Sequence, residues 1–161
     1  MQDTRENRTL PVEDQSFQRL HDLFAALVEG RNEDFLAGCA DDLVLNVRGS
    51  AKTATMIPKE RIAQWHRSAQ LMAGDRMRSS VCFILTSEPA RIVVLTHVID
   101  RDGESFRYES VNHCTLRGDL LAGWFSYPMD ATDYAKAWGL QNPEDSSSFS
   151  EDQISRIRAL D

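Results

Sequence analysis

The spacing of hydrophobic residues divides the chain near Gly74. Before this point, apolar residues recur at every third or fourth position over residues 16–29, 32–40 and 58–72, which predicts three helices. Residues 43–48 lie between the second and third of these helices, and their side chains alternate in the two-residue period of a strand with one buried face. The first half of the chain is therefore predicted to be mainly helical.

The second half of the chain has the pattern of extended strands. It contains four runs rich in β-branched and aromatic residues, at 81–86, 91–101, 105–117 and 120–129. Asp102-Gly103 joins the two middle runs, and this dipeptide favours a two-residue hairpin turn because such turns require positive φ. The four runs predict a meander of antiparallel strands.

The composition of the chain ends suggests three parts. We expect a flexible N-terminal segment over residues 1–15 and a single folded domain over residues 16–140, a usual domain size. The Ser-rich stretch that begins residues 141–161 predicts a linker, and Ser150 with Gln153 offers a capping box for a short C-terminal helix.

Charge and hydropathy exclude several classes of partner. The chain has 25 acidic and 18 basic residues, a net charge of −7, and no basic cluster of the kind that nucleic-acid binding requires. No apolar run approaches the length of a membrane span or of a signal peptide, so we expect a cytoplasmic protein that binds neither membrane nor nucleic acid. Cys39, Cys82 and Cys114 are widely spaced among apolar residues and are predicted to be buried, reduced thiols.

Two stretches carry a resemblance to a known family. LVEGRNEDFLAGCADDLVLNV looks like a helix pair followed by a strand, and DGESFRYESVNHCTLRGDLLAGWFSYPMD looks like a long hairpin with an aromatic final strand. In this order they resemble the nuclear transport factor 2-like superfamily, in its SnoaL-like branch of polyketide cyclases and ketosteroid isomerase-like proteins. The resemblance implies an α+β fold in which a curved, mixed or antiparallel sheet carries the N-terminal helices on its concave face, a cystatin-like cone that encloses a pocket.

The resemblance also permits a residue-by-residue test of isomerase chemistry. Its catalytic base would fall on Val47, its tyrosine donor on Phe24 and its acidic donor on Asn112. Valine and phenylalanine cannot transfer a proton, whereas asparagine can still donate a hydrogen bond. Isomerisation of the steroid type is therefore not expected.

Strand alternation selects candidate residues on the two middle strands. His97 shares a face with Leu95 and other apolar residues, so it is either a proton-transfer residue or a hydrogen-bonded core histidine. On the paired strand, Tyr108 and Asn112 share one face, and Asn112 is either a ligand donor or a buried amide that satisfies backbone groups. His113 has the opposite parity and is expected on the outer face.

The last strand supplies two further candidates. Alternation places Phe125 and Tyr127 on the same side as Leu121, with Asp130 at the end of the strand. In the SnoaL-like cyclases an aspartate after the strand tryptophan, here Trp124, is the general acid–base, and the resemblance assigns that role to Asp130. The alternative is that Asp130 caps the helix that follows it.

These residues define a predicted site without a cofactor. The catalytic set is Asp130, His97, Asn112 and Tyr127. The substrate-binding residues are Phe24, Trp65, Leu95, Tyr108 and Phe125. No metal-ligand spacing or phosphate-binding loop occurs, so neither metal nor cofactor is expected. His66 lies at the edge of its helix stripe and is predicted to be solvated.

The leading functional hypothesis is a cofactor-independent lyase or isomerase, of cyclase or dehydratase type, that acts on a small hydrophobic carbonyl compound. The alternatives are a non-catalytic module that binds a small hydrophobic ligand and a structural subunit of a larger enzyme. An open sheet leaves an outer face that monomers rarely expose, so we also expect a homodimer.

Overall fold

A computed structural model describes residues 12–48, 54–74, 76–87 and 91–139. These ranges form four helices and one six-stranded sheet. The helices are α1 (Val12–Val28), α2 (Asn32–Ala37), α3 (Lys59–Met72) and α4 (Ala131–Trp138). The strands are β1 (Val44–Arg48), β2 (Ala54–Pro58), β3 (Met77–Leu85), β4 (Ile92–Arg101), β5 (Glu104–Arg117) and β6 (Leu120–Pro128). None of the helices in these ranges is both long and apolar enough to cross a membrane.

The sheet is mixed and has the strand order β2-β1-β6-β5-β4-β3. Strands β3 to β6 form the predicted antiparallel meander, β2 is antiparallel to β1, and β1 pairs with β6 in parallel. The helices pack against one side of the sheet, which we call the inner face. The predicted α+β class, with a mixed sheet and helices on one face, is confirmed.

Two separate hydrophobic clusters fill the space between the helices and the inner face. The large core joins α1, α2 and the centre of the sheet, and at its middle the rings of Phe24, Phe35 and Trp124 meet edge to face with centroids 5.4–6.2 Å apart. The small core lies towards α4 and is built around Ile99 and Tyr108. The inner face is thus divided into two apolar regions.

The boundaries of several elements differ from the prediction. Helix α1 begins at Val12, four residues before the predicted start, and β2 lies in a stretch that the sequence pattern predicts to be a loop. Strand β2 is only five residues long, with Ile57 buried and Met56 exposed, so its alternation is too short to stand out. The linker and C-terminal helix predicted over residues 141–161 lie outside the described residues, as do residues 1–11.

A β-bulge changes which side chains of β6 face inward. The pairing of β5 with β6 slips by one residue at Ala122. Because side chains alternate, this slip reverses the parity of everything that follows it: Leu121 and Trp124 both point inward, whereas Phe125 and Tyr127 point outward with 42% and 36% of their surface exposed. The prediction that Phe125 and Tyr127 face the interior is therefore wrong.

A second β-bulge, between β3 and β4, exposes one of the three cysteine thiols. Cys39 and Cys114 are buried as predicted, and burial raises the pKa of the Cys39 thiol to about 11. Cys82 lies where the pairing of β3 with β4 slips, and its side chain is exposed. The prediction of burial is wrong for Cys82.

Asp130 forms the cap of α4. Its Oδ1 accepts hydrogen bonds from the backbone N–H groups of Thr132, at 2.8 Å, and Asp133, at 2.9 Å. The residue itself has extended backbone geometry, as an N-cap residue should, and it is solvent-exposed. The structure thus supports the capping alternative for this carboxylate.

Two substitutions of Asp130 distinguish a helix-capping role from a catalytic role. Asparagine caps helices about as well as aspartate, so we expect D130N to keep the stability of the wild type. D130A lacks the acceptor and should lose about 1 kcal/mol of unfolding free energy, measured by urea denaturation. A D130A protein as stable as the wild type would contradict the capping role. A D130N protein that is stable but inactive would show that the carboxylate takes part in catalysis.

Candidate functional site

A line of polar side chains crosses the inner face between the two cores. It consists of Ser79 on β3, His97 on β4, and Ser110 and Asn112 on β5, and we call it the polar row. Ser79 and His97 face inward together because they are directly paired across β3 and β4. On β4 the inward residue before His97 belongs to the large core and the one after it belongs to the small core, so the row separates the two clusters.

His97 is held on both sides by serine hydroxyls. Its Nδ1 lies 2.7 Å from Oγ of Ser79, its Nε2 lies 2.8 Å from Oγ of Ser110, and its ring stacks on Tyr108 with centroids 4.7 Å apart. Burial lowers the pKa of His97 to about 4, and the neighbouring His66 lowers it further. The imidazole of His97 is therefore neutral at pH 7.

Trp124 fixes the orientation of the Asn112 amide. An indole N–H can only donate, so the oxygen that lies 2.8 Å from Trp124 Nε1 must be the acceptor Oδ1 of Asn112. The Nδ2 of Asn112 then donates to the carbonyl oxygen of Val93 at 3.1 Å and to Oγ of Ser110 at 3.2 Å. Asn112 is 1% exposed and both of its N–H groups are used, so it orients Ser110 and has no N–H left for a ligand.

These bonds also assign the tautomer of His97. Oγ of Ser110 is buried and accepts from Asn112, and among the described residues Nε2 of His97 is the acceptor that its own proton can reach, so Ser110 donates to Nε2. The proton of the neutral ring then lies on Nδ1, which donates to Oγ of Ser79. Because Oγ of Ser79 accepts from Nδ1, its own proton is not used within the polar row.

His66 adds a buried histidine from the helix above the sheet. It is only 7% exposed, and it shares the buried stripe of α3 with Ile62 and Ala69 at spacing i, i+4, i+7. The prediction of a solvated His66 is wrong because it centred the stripe on Trp65, which is only half-buried against the large core. The spacing of His66 from Ile62 and Ala69 is the signal that could have identified it.

The other predicted pocket residues have different surroundings. Phe24 and Leu95 are buried in the large core. Tyr108 is buried in the small core, where its hydroxyl accepts a hydrogen bond from Nε1 of Trp138 at 3.3 Å and burial raises its pKa. On the outer face, the guanidinium carbon of Arg48 lies 5.6 Å from the ring centre of Phe125.

The four predicted catalytic residues do not form one group. His97 and Asn112 lie together in the polar row. Tyr127 lies on the opposite face of the sheet, where its hydroxyl is 2.9 Å from Nε2 of His113, and Asp130 caps α4 beyond the end of β6. Among the described residues, no three His, Cys, Asp or Glu side chains cluster in a way that could hold a metal ion.

An open cleft of about 240 Å³ adjoins the small core. Its walls include Met72 at the end of α3, Ile99 on β4 and Trp138 on α4, with the charged Arg76 and Arg101 at its sides. Ile99 is the next inward residue after His97 on β4. The cleft therefore lies beside the polar row.

Comparison with known proteins identifies the fold. No protein-family model matches the chain, and no curated protein does. A solved structure described as a SnoaL-like polyketide cyclase, from Jannaschia sp., is 12% identical with a TM-score of 0.62, over 81% of this chain and 96% of that one. An NTF2-like protein from Burkholderia xenovorans is 18% identical with a TM-score of 0.58, over 77% and 95%.

An LEH-like epoxide hydrolase from M. tuberculosis is 16% identical with a TM-score of 0.59, over 80% of this chain and 92% of that one. Identities this low establish the fold alone. The solved structures that this chain matches thus include SnoaL-like and NTF2-like proteins, and the chain has the nuclear transport factor 2-like fold.

Proposed function

We propose that the protein is a cofactor-independent lyase or isomerase, of cyclase or dehydratase type, whose substrate is a small hydrophobic carbonyl compound. The observation that carries this proposal is the placement of His97: a neutral imidazole between two serine hydroxyls, in a polar row that crosses an otherwise apolar face. Buried titratable groups with strongly shifted pKa values are concentrated at functional sites.

The polar row suits the stabilisation of a developing oxyanion. When water from the adjoining open cleft accepts a proton from the carbon next to a carbonyl group, negative charge builds on the carbonyl oxygen, and an oriented donor stabilises that charge. A neutral imidazole can act as such a donor. Here Nδ1–H of His97 would polarise the hydroxyl of Ser79, and that hydroxyl would donate to the substrate oxygen.

The shared fold supports a reaction of this class. Proteins described as a polyketide cyclase and an epoxide hydrolase have this fold, so the scaffold is compatible with chemistry on small organic molecules. In this proposal Asn112 positions Ser110, Asp130 caps α4, and Tyr127 belongs to the outer face. Phe24, Trp65 and Leu95 of the large core, with Tyr108, form the apolar surroundings of the row.

A non-catalytic binding module is the second candidate. A polar row whose members satisfy one another is also what a stable buried network requires, even where no reaction occurs. The same row would then orient a hydrophobic ligand without converting it. A structural subunit of a larger enzyme is the third candidate, and co-purification with a larger protein would distinguish it.

Deuterium exchange into model ketones tests the proposed chemistry. We expect the protein to accelerate deuterium incorporation next to the carbonyl group of at least one member of a panel of cyclic and aryl ketones in D₂O, followed by NMR. H97Q keeps a polar side chain but lacks the imidazole, and it should lower this rate by about 100-fold or more.

H113Q is the matched control because His113 is an exposed histidine on the opposite face, and it should retain the wild-type rate. Equal rates for H97Q and the wild type would refute the role of His97. Ligand binding without exchange in any ketone would favour the binding module.

Stability should decrease as the pH is lowered, because the folded chain holds His97 in its neutral form. The pKa of an unfolded histidine is about 6.5, whereas that of folded His97 is about 4, so the unfolded chain takes up the proton first as the pH falls. The contribution of neutral His97 to the unfolding free energy is complete above pH 6.5 and is lost as the pH falls towards 4. Between pH 7 and pH 5 we expect His97 alone to remove about 2 kcal/mol of unfolding free energy, measured by urea denaturation. The same loss in H97Q would show that His97 does not carry this dependence.

The outer face supports a homodimer. Phe83, Val94, Val111 and Tyr127 are paired in register across β3 to β6, so their side chains form a continuous apolar line on this face. Phe83 and Tyr127 are exposed in the isolated chain, and a second copy of the chain would cover them. We expect sedimentation of a dimer at micromolar concentration and of a monomer for F83D. A wild-type monomer under these conditions would contradict the dimer.

A further inference from the structure

His66 is a buried histidine whose Nδ1 has no hydrogen-bond partner within the described residues. A buried polar atom without a partner is costly, because it gives up its hydrogen bond to water and receives nothing in return. Ser68 shows the usual solution on the same helix: it is also buried, and its Oγ donates to the backbone oxygen of Gln64 at 2.8 Å. His66 Nδ1 has no such arrangement, which points to a partner that binds from outside the chain.

The position of His66 places this atom beside the polar row. Helix α3 contacts the large core at Ile62, and Ala73, directly after its end, packs against the small core. His66 lies between these two contacts along the chain, and the polar row separates the two cores that they touch. It is also near enough to His97 for the two imidazoles to interact electrostatically.

We propose that His66 is the second ligand-contacting residue of the site, and that its Nδ1 forms a hydrogen bond with a neutral hydroxyl or carbonyl group of a ligand bound between α3 and the polar row. Ser79 contacts the ligand from the sheet, because its hydroxyl proton is not used within the row. The ligand therefore meets one group from the helix and one from the sheet. This inference deepens the proposed function and rests on it for the location of the site.

The side chains around the proposed ligand site favour an uncharged ligand. The row consists of two serines, one amide and one neutral imidazole, and the clusters on either side of it are apolar. A carboxylate placed against the row would meet no cationic side chain among its members, and burying it there is far more costly than burying a hydroxyl or a ketone. The ligand class is thus an oxygenated, uncharged molecule with an apolar body.

Matched fragment pairs test the ligand class. The neutral probes are cyclohexanol, cyclohexanone and 2-naphthol, and the charged probes on the same skeletons are cyclohexanecarboxylate and 2-naphthoate. We expect neutral probes to shift the ¹⁵N resonance of His66 Nδ1 at pH 7.5, and the carboxylates to bind at least about tenfold more weakly. If no neutral probe shifts that resonance, or if the carboxylates bind as well as their partners, the inference is wrong.

Substitutions of His66 identify the contacting atom. H66N places an amide atom close to the position of Nδ1 and should keep the affinity for neutral probes within about threefold, whereas H66L and H66Q should weaken it by about tenfold. S68A is the matched control on the same helix and should bind like the wild type. Unchanged affinity in H66L would overturn the inference.

Stability separates this role from a structural one. Leucine removes the unpartnered nitrogen and keeps apolar bulk, so the urea midpoint of H66L should be equal to or higher than that of the wild type. A lowered midpoint would show that His66 stabilises the fold and would count against a ligand-binding role. The fragment-binding and stability measurements involve no turnover. The ligand-binding role of His66 and the proposed catalytic function can therefore be refuted independently.

Discussion

The hydrogen bond from the Trp124 indole to the Asn112 carbonyl oxygen determines the arrangement of the site. Trp124 is fixed by the aromatic rings of the large core, and its N–H can only donate. This single constraint orients the amide, the amide directs Ser110, and Ser110 selects the tautomer of His97. Packing in the core is thereby converted, through Asn112, which lies 12 residues before Trp124 in the chain, into a definite direction of hydrogen bonding along the polar row.

A polar row between two hydrophobic clusters is stable only if its members satisfy one another. Each side chain in the row has at least one partner, and the same burial that requires those partners lowers the pKa of His97. His66 departs from this rule because its Nδ1 is buried and has no partner among the described residues. Residues that break a local rule of stability are commonly found at functional sites, where a ligand supplies the missing interaction.

The fold class and the regular part of the site can be predicted from the sequence. Alternation along β4 and the paired stretch of β5 is uninterrupted at His97 and Asn112, so parity places both residues on the inner face correctly. It fails on β6 because the bulge at Ala122 reverses the parity, and the neighbouring Gly123 is compatible with either a bulge or a regular strand. A bulge depends on how two strands align, so the sequence pattern of one strand alone does not predict it.

Two other differences have different physical causes. The pattern assigns His66 to the surface because Trp65 outweighs it in hydrophobicity, although helix geometry buries the residue four positions after Ile62. Asp130 suits both a helix cap and a catalytic acid, and only the distances to the backbone N–H groups of α4 favour the cap. Such choices depend on tertiary contacts, which the pattern along the chain does not contain.

The protonation state of His97 is the central claim, and ¹⁵N NMR of its imidazole measures that state directly. A single neutral tautomer with the proton on Nδ1, which persists until the pH approaches about 4, is the predicted result. A ring that takes up a proton near pH 6.5, or that carries its proton on Nε2, would contradict the proposed row of hydrogen bonds and the function built on it.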